Sequence, residues 1–248
     1  MDLKGKVAIV TGGGTGMGKA ISTLLAASGV SIAVNYSRSE ADAVATAEEL
    51  TKAGVEAMPI RADVSVAVDV AAMIEQTERR LGRVDILVNN AGHTKFVPMN
   101  DLEGMPEDEW DRIMGVNVKG IWLCTKAAAP AMRRAGGGAV VNVTSIAGLK
   151  VAGSSMAYAV SKAAAIHLTR CLAAALAPDV RVNSVAPGLV VTRWWAHAGE
   201  ERLSQMAQSM PLKHSVTPEQ VATTTLELIR NDSITGQTIA LDAGALLR

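Results

Sequence analysis

Short apolar runs recur along the chain, each followed by a longer stretch with apolar residues at helical spacing. Residues 7–10, 30–34, 86–88, 139–143 and 182–185 have the length and near-uniform hydrophobicity of strands buried on both faces. Between them, residues 20–28, 39–53, 66–81, 106–135 and 156–177 predict helices, the fourth long enough to be interrupted. Strand alternates with helix, and no hairpin signal intervenes. That order predicts an α/β fold, a parallel sheet with helices on both faces, and right-handed crossovers make it doubly wound. No repeat, low-complexity tract or linker divides the chain, so residues 1–248 are expected to form a single domain. Residues 190–218 are the least regular and break the alternation; a run at 238–241 adds a last strand.

Composition narrows the partners. Of 248 residues, 49% are hydrophobic, enough to fill a large core. Lys plus Arg number 24 and Asp plus Glu 24. A net charge of zero gives no electrostatic footprint for nucleic acid or an anionic membrane, and it does little to hold subunits apart. Cys124 and Cys171 both fall in predicted helices, which is no disulfide framework, and a reducing cytoplasm is the expected compartment. The opening Met1-Asp2-Leu3-Lys4-Gly5-Lys6 runs straight into the first strand. No signal peptide is expected there, and no apolar run reaches the roughly 18 residues of a membrane span.

The first strand ends in Thr11-Gly12-Gly13-Gly14-Thr15-Gly16-Met17-Gly18, with a helix directly after it. Glycines at 12, 16 and 18 permit a tight turn, a close approach of backbone to a pyrophosphate, and packing of helix on strand. Unpaired amides and the dipole at the helix start favour phosphates there. A merely flexible turn is the alternative, and the order strand, glycines, helix weighs against it. The second strand runs out into Asn35-Tyr36-Ser37-Arg38-Ser39. An acid to accept from ribose hydroxyls is missing here. Tyr36, Ser37 and Arg38 offer hydroxyls and a guanidinium that suit a 2′-phosphate, which favours NADP over NAD; a solvated loop arginine is the rival account.

Ser145 lies just past the strand 139–143, at the strand end where open α/β sheets bind ligands. Tyr158 and Lys162, four apart in a helix, share one face. Reduction of a ketone needs a proton donor at oxygen. A phenol's ordinary pKa near 10 is high for that work, and a neighbouring ammonium is expected to lower it. Ser145 is suited to hold the carbonyl oxygen.

Together these features resemble a classical short-chain dehydrogenase/reductase, close to its 3-oxoacyl reductase-like branch, over essentially the whole chain. The shared residues are Gly12, Gly16 and Gly18, Asp63-Val64, Asn89-Asn90-Ala91-Gly92, Asn117, Ser145, Tyr158, Lys162 and Pro187-Gly188. The resemblance implies a Rossmann-type sheet and a hydride exchanged between NADP(H) and a ketone or secondary alcohol. It makes Tyr158 the general acid/base, Lys162 its modulator and ribose ligand, and Ser145 the oxygen anchor. Asn117 would hold a helix bend and a water linking Lys162 to solvent. Asp63 and Val64 would contact adenine. Asn90, Ala91, Gly92, Pro187 and Gly188 would line the cofactor, with Gly12, Thr15, Gly16 and Met17 at its phosphates and Thr192 at the nicotinamide amide or phosphates. Residues 190–218 would form a substrate lid, and the chain would assemble as a homotetramer. An NAD-dependent sugar, polyol or other alcohol dehydrogenase is the enzymatic alternative, and a non-catalytic dinucleotide sensor the other.

His93, His167, His197 and His214 show no metal-ligand spacing, so no metal is expected; His93, next to Gly92, is placed to reach the edge of the site. Trp194 and Trp195 could anchor the core or wall a substrate pocket, and Met206 and Met210 could line that pocket or fill the core. Arg133 and Arg134 suit a helix end and could also dock an acidic carrier protein. Ala174 stands where carrier-linked reductases of this family have an arginine, which puts a carrier in doubt, while the small residues nearby favour packing between subunits. Asp242-Ala243-Gly244 departs from the family's usual Asp-Gly-Gly.

Overall fold

The computed structural model describes residues 1–192 and 199–248. Seven parallel strands form one sheet in the order β3-β2-β1-β4-β5-β6-β7. The strands are β1 (Val7–Val10), β2 (Ser31–Tyr36), β3 (Ala57–Arg61), β4 (Ile86–Asn89), β5 (Gly138–Val143), β6 (Val180–Pro187) and β7 (Thr238–Leu241). The helices are α1 (Gly16–Ala27), α2 (Glu40–Lys52), α3 (Ala67–Leu81), α4 (Glu107–Met114), α5 (Gly120–Arg134), α6 (Met156–Leu176), α7 (Glu200–Ser209) and α8 (Pro218–Arg230).

Alternate residues of each central strand feed two separate cores. Ala8, Val10, Ile86, Val88, Val141 and Val143 pack with α1, α2 and α8, while Ile9, Leu87 and Val140 pack with α3, α5 and α6. A strand whose two faces are both covered has no place for polar residues, hence the uninterrupted apolar runs. The strand order reverses between β1 and β4. Their outgoing loops separate there and open a crevice at the carboxyl ends of the strands.

Two elements were not expected from the pattern. Strand β3 carries Pro59, which argues against a strand, but β3 is an edge, where a missing N–H costs no ladder bond. Helix α8 has a readable start: Thr217 accepts from the Gln220 N–H, the Gln220 side chain accepts from the Thr217 N–H, and Pro218 opens the helix. The long helical stretch is indeed interrupted, by a π-helical turn over Gly115–Lys119. By length and composition alone α6 could cross a membrane, but it packs on β6 and buries Ser161, Lys162 and Thr169, as a core helix does.

Candidate active site

The glycine-rich turn is held in place from two sides. Gly12 and Gly16 have φ of +61° and +52°, a region that side chains disfavour. Gly18 sits so close that a Cβ would overlap the Gly12 carbonyl oxygen. Asn90 Nδ2 donates to the carbonyls of Thr11 (2.9 Å) and Gly12 (3.1 Å). The Thr11 hydroxyl accepts from the N–H groups of Asn90 and Ala91, both at 2.9 Å. From the other side, the buried Asn35 accepts from Gly12 N–H at 3.3 Å and donates to the Ala62 carbonyl at 3.1 Å. Asn35 thus locks the turn to β2 and β3, a role that only its burial reveals. Thr15 precedes α1, Met17 lines the central cleft, and Thr192 lies against Gly16.

A second recess gathers Ser37, Arg38, Asp63, Val64, Ala91 and Gly92. Arg61 and Arg112, which no motif marks, line it as well. Arg61 stands in register with Tyr36 across β2 and β3, which the sequence could show only once β3 was recognised. The Tyr36 hydroxyl donates to Glu40 at 2.9 Å, which raises its pKa. Asp63 accepts from the Ser65 hydroxyl at 2.6 Å and its backbone N–H at 2.9 Å. Those bonds, aided by Arg112 and Arg38, hold its carboxyl below the usual range despite partial burial. His93 lines this recess, its ring pairing with Glu109 at 2.8 Å.

The central cleft brings Ser145, Tyr158 and Lys162 together beside Pro187, Gly188 and Thr192. Ser145 sits between β5 and a short 3-10 turn, where its hydroxyl accepts from the Ala147 N–H at 3.1 Å and hydrogen-bonds Tyr158. Helix α6 presents Tyr158 and Lys162 one turn apart. Lys162 Nζ donates to the Val143 carbonyl at 3.0 Å and lies 5.5 Å from the Tyr158 ring centroid. Asn117, in the π-helical turn, is fully buried: it accepts from the His93 N–H at 2.8 Å and donates to the His93 carbonyl and the Ser161 hydroxyl, both at 2.9 Å.

Burial sets the electrostatics. It pushes the Tyr158 phenol up to about 12, against the pull of the Ser145 hydrogen bond, and draws the Lys162 ammonium down to about 8. The sequence predicted a phenol lowered by its lysine. Desolvation of the phenolate wins instead: both groups are buried, and the ammonium, 5.5 Å from the ring centroid, donates its hydrogen bond to the Val143 carbonyl. At neutral pH the pair is therefore a neutral phenol beside a cation, the state a proton donor needs.

Elsewhere the expectations divide. Met206 and Met210 line the cleft. Arg133 and Arg134 close α5 at the protein surface, where they pair with Asp179 (2.9 Å) and Glu78 (2.7 Å). Trp194, Trp195 and His197 lie outside the described residues. Lys150 lines the cleft as well, and no motif marks it in the sequence.

A doubly wound sheet with a glycine-lined helix start and a Ser–Tyr–Lys cluster defines a dinucleotide-dependent oxidoreductase. Residues 6–203 match the family described as short chain dehydrogenase, and the chain belongs to that family. It is 42% identical over 243 residues to the candidate ketoacyl reductase 2 of the granaticin polyketide synthase of Streptomyces violaceoruber, covering 97% of this chain and 96% of that one. It is 38% identical to a 3-oxoacyl-[acyl-carrier-protein] reductase of Staphylococcus epidermidis, covering 96% and 98%. Its fold is similar to that of a 7α-hydroxysteroid dehydrogenase solved with NADH and 7-oxo glycochenodeoxycholic acid, with a TM-score of 0.90, 32% identity, and coverage of 98% and 94%. The protein is an NAD(P)-dependent dehydrogenase/reductase acting on a small molecule. The close Gly12–Gly18 approach at the start of α1 fits a pyrophosphate.

Proposed function

We propose that the protein reduces an apolar ketone, 3-oxoacyl or free, with NADPH, and catalyses the reverse oxidation. The observation that carries this reading is the Ser145–Tyr158–Lys162 cluster in one cleft with Thr192 and Met17. The nicotinamide supplies the hydride when bound. Ser145 holds the carbonyl oxygen, Tyr158 gives that oxygen its proton, and Lys162 stabilises the charge left on the phenol. Asn117 fixes the helix bend behind them. Gly12, Thr15, Gly16 and Met17 hold the phosphates, while Asp63, Val64, Asn90, Ala91 and Gly92 line the adenosine side. Pro187, Gly188 and Thr192 border the nicotinamide.

Arg38 with Arg61 and Ser37 in one recess supports NADP over NAD, because two guanidiniums and a hydroxyl suit a 2′-phosphate. Phe96, Ile146, Leu189, Val190, Met206 and Met210 line the cleft, and no carboxylate does among the described residues. Such a wall suits an apolar body better than a polyol. Residues 190–218 act as the lid. A homotetramer is supported by outward apolar groups on α5 and α6, Trp122 and Val160, with Ala174 on the same α6 face as Val160. A cytoplasmic setting is supported by the two free thiols.

A panel of apolar ketones, sugars and alcohols with both cofactors tests the reading. Apolar ketones with NADPH should give the highest kcat/KM. Tyr158→Phe should lower turnover by about a thousandfold or more while NADPH affinity holds. NADPH binding by the wild type without turnover on any substrate would favour a dinucleotide sensor.

A further inference from the structure

One wall of the cleft is tied together by residues far apart in sequence. Lys150, in the loop after β5, lines the cleft and donates from Nζ to the main-chain oxygens of Ala245 at 2.9 Å and Arg248 at 3.2 Å. Arg248 in turn donates from Nη1 to the carbonyl of Ser209, the last residue of α7, at 2.7 Å. The same junction is braced twice more. The Leu212 N–H donates to the Ala243 carbonyl at 3.1 Å, and Gly244 is pressed so near Pro211 that a Cβ would lie 2.8 Å from the ring. Asp242 stiffens the segment by accepting from the N–H groups of Gly244 (2.9 Å) and Leu246 (2.7 Å).

Helix α7 itself buries no residue completely, so its place depends on these ties more than on a core face of its own. It carries Met206, and Met210 follows it; both line the cleft that holds Ser145 and Tyr158, along with Ala245. A lysine with two donors committed to main-chain oxygens acts as a fixed spacer.

We infer that Lys150 is a specificity-determining positioning residue: through residues 242–248 it fixes α7, and so sets how closely Met206 and Met210 meet the substrate. This rests on the reading of the cleft as a ketone site. Lys150 works through the wall and leaves the proton transfer to Tyr158.

Lys150→Met keeps the length and apolar stem but removes the donors. For an apolar ketone that the wild type reduces, KM should rise about tenfold with kcat changed less than about threefold and NADPH affinity retained. Lys150→Arg should recover most of the loss. Arg248→Ala, whose side chain reaches Ser209 and does not line the cleft, should raise KM in the same direction, and the double variant should fall short of the product of the two effects. Amide exchange in Glu200–Ser209 should quicken in both variants while β4 and β5 stay protected. Unchanged KM and unchanged exchange would overturn the inference. So would a KM that rises in Lys150→Met alone with α7 exchange unaltered, which would mean direct contact with substrate. If the wild type reduces no ketone, the functional reading fails, and α7 exchange still decides the role of Lys150.

Discussion

Asn117 and His93 clasp each other as two strand residues would: the Asn117 amide accepts from the His93 N–H at 2.8 Å and donates to the His93 carbonyl at 2.9 Å. The remaining amide proton goes to Ser161, the residue before Lys162. One side chain thereby fixes the loop after β4 to the helix that carries Tyr158 and Lys162. The π-helical turn is what aims it, since an extra residue in the turn rotates Asn117 out of the ordinary α-helical register. Asn117→Ala leaves the His93 backbone groups and Ser161 without those partners. A loss of about 2–4 kcal/mol in denaturant unfolding is expected, with kcat reduced more than NADPH affinity. An Asn117→Ala variant with wild-type kcat would show that the clasp has no bearing on the catalytic cluster.

The pH dependence has opposite signs for activity and stability. Lys162 falls from its ordinary 10.5 to about 8, so between those values the unfolded chain binds the proton more tightly, and folding stability gains from this group as pH rises. Tyr158 rises from 10.0 to about 12, so its contribution is intact below pH 10 and is lost from there to about 12. Ketone reduction needs the lysine charged. Its kcat/KM should be level below pH 8 and decline above it, while unfolding at the same pH shows no matching loss. A profile level to pH 10 would separate Lys162 from the chemistry.

Arg38 is predicted to read the cofactor's 2′-phosphate. Arg38→Ala should weaken NADPH binding at least tenfold more than NADH binding, with added salt narrowing the difference. Arg61→Ala should act in the same direction and less strongly, as its side chain is reached from β3. Equal losses for both cofactors by fluorescence titration would refute the assignment.

Ala243 adopts a φ of +52°, where the family's usual glycine would rest without strain. The left-handed region costs an alanine about 1–2 kcal/mol, and glycine gives back about 0.5–1 through a freer unfolded chain. Ala243→Gly should therefore stabilise by about 0.5–1 kcal/mol, visible as a Tm higher by about 1–4 °C. A lower Tm would mean that the neighbouring ties on Gly244 and Leu212 set this conformation at no cost to alanine.

Much of the fold was legible because burial on both faces leaves a strong mark: β1, β4, β5 and β6 read as apolar runs, and the glycine turn, Ser145, Tyr158 and Lys162 as motifs. Edge strand β3 hid behind Pro59, and Arg61 was hidden with it. Asn35 and Lys150 carry no motif, since their importance lies in partners distant along the chain, Gly12 for one and Ala245 and Arg248 for the other. The direction of the Tyr158 shift was misread for a related reason. Residue spacing tells which charges are neighbours, whereas desolvation depends on everything packed around them. The sequence alone determined the layered architecture and which side chains carry reactive groups, because periodicity and residue type are local properties. Tertiary structure alone decided the protonation of the phenol, the second arginine in the recess of Arg38 and the ties on α7, because each is a sum over atoms that only folding brings within reach.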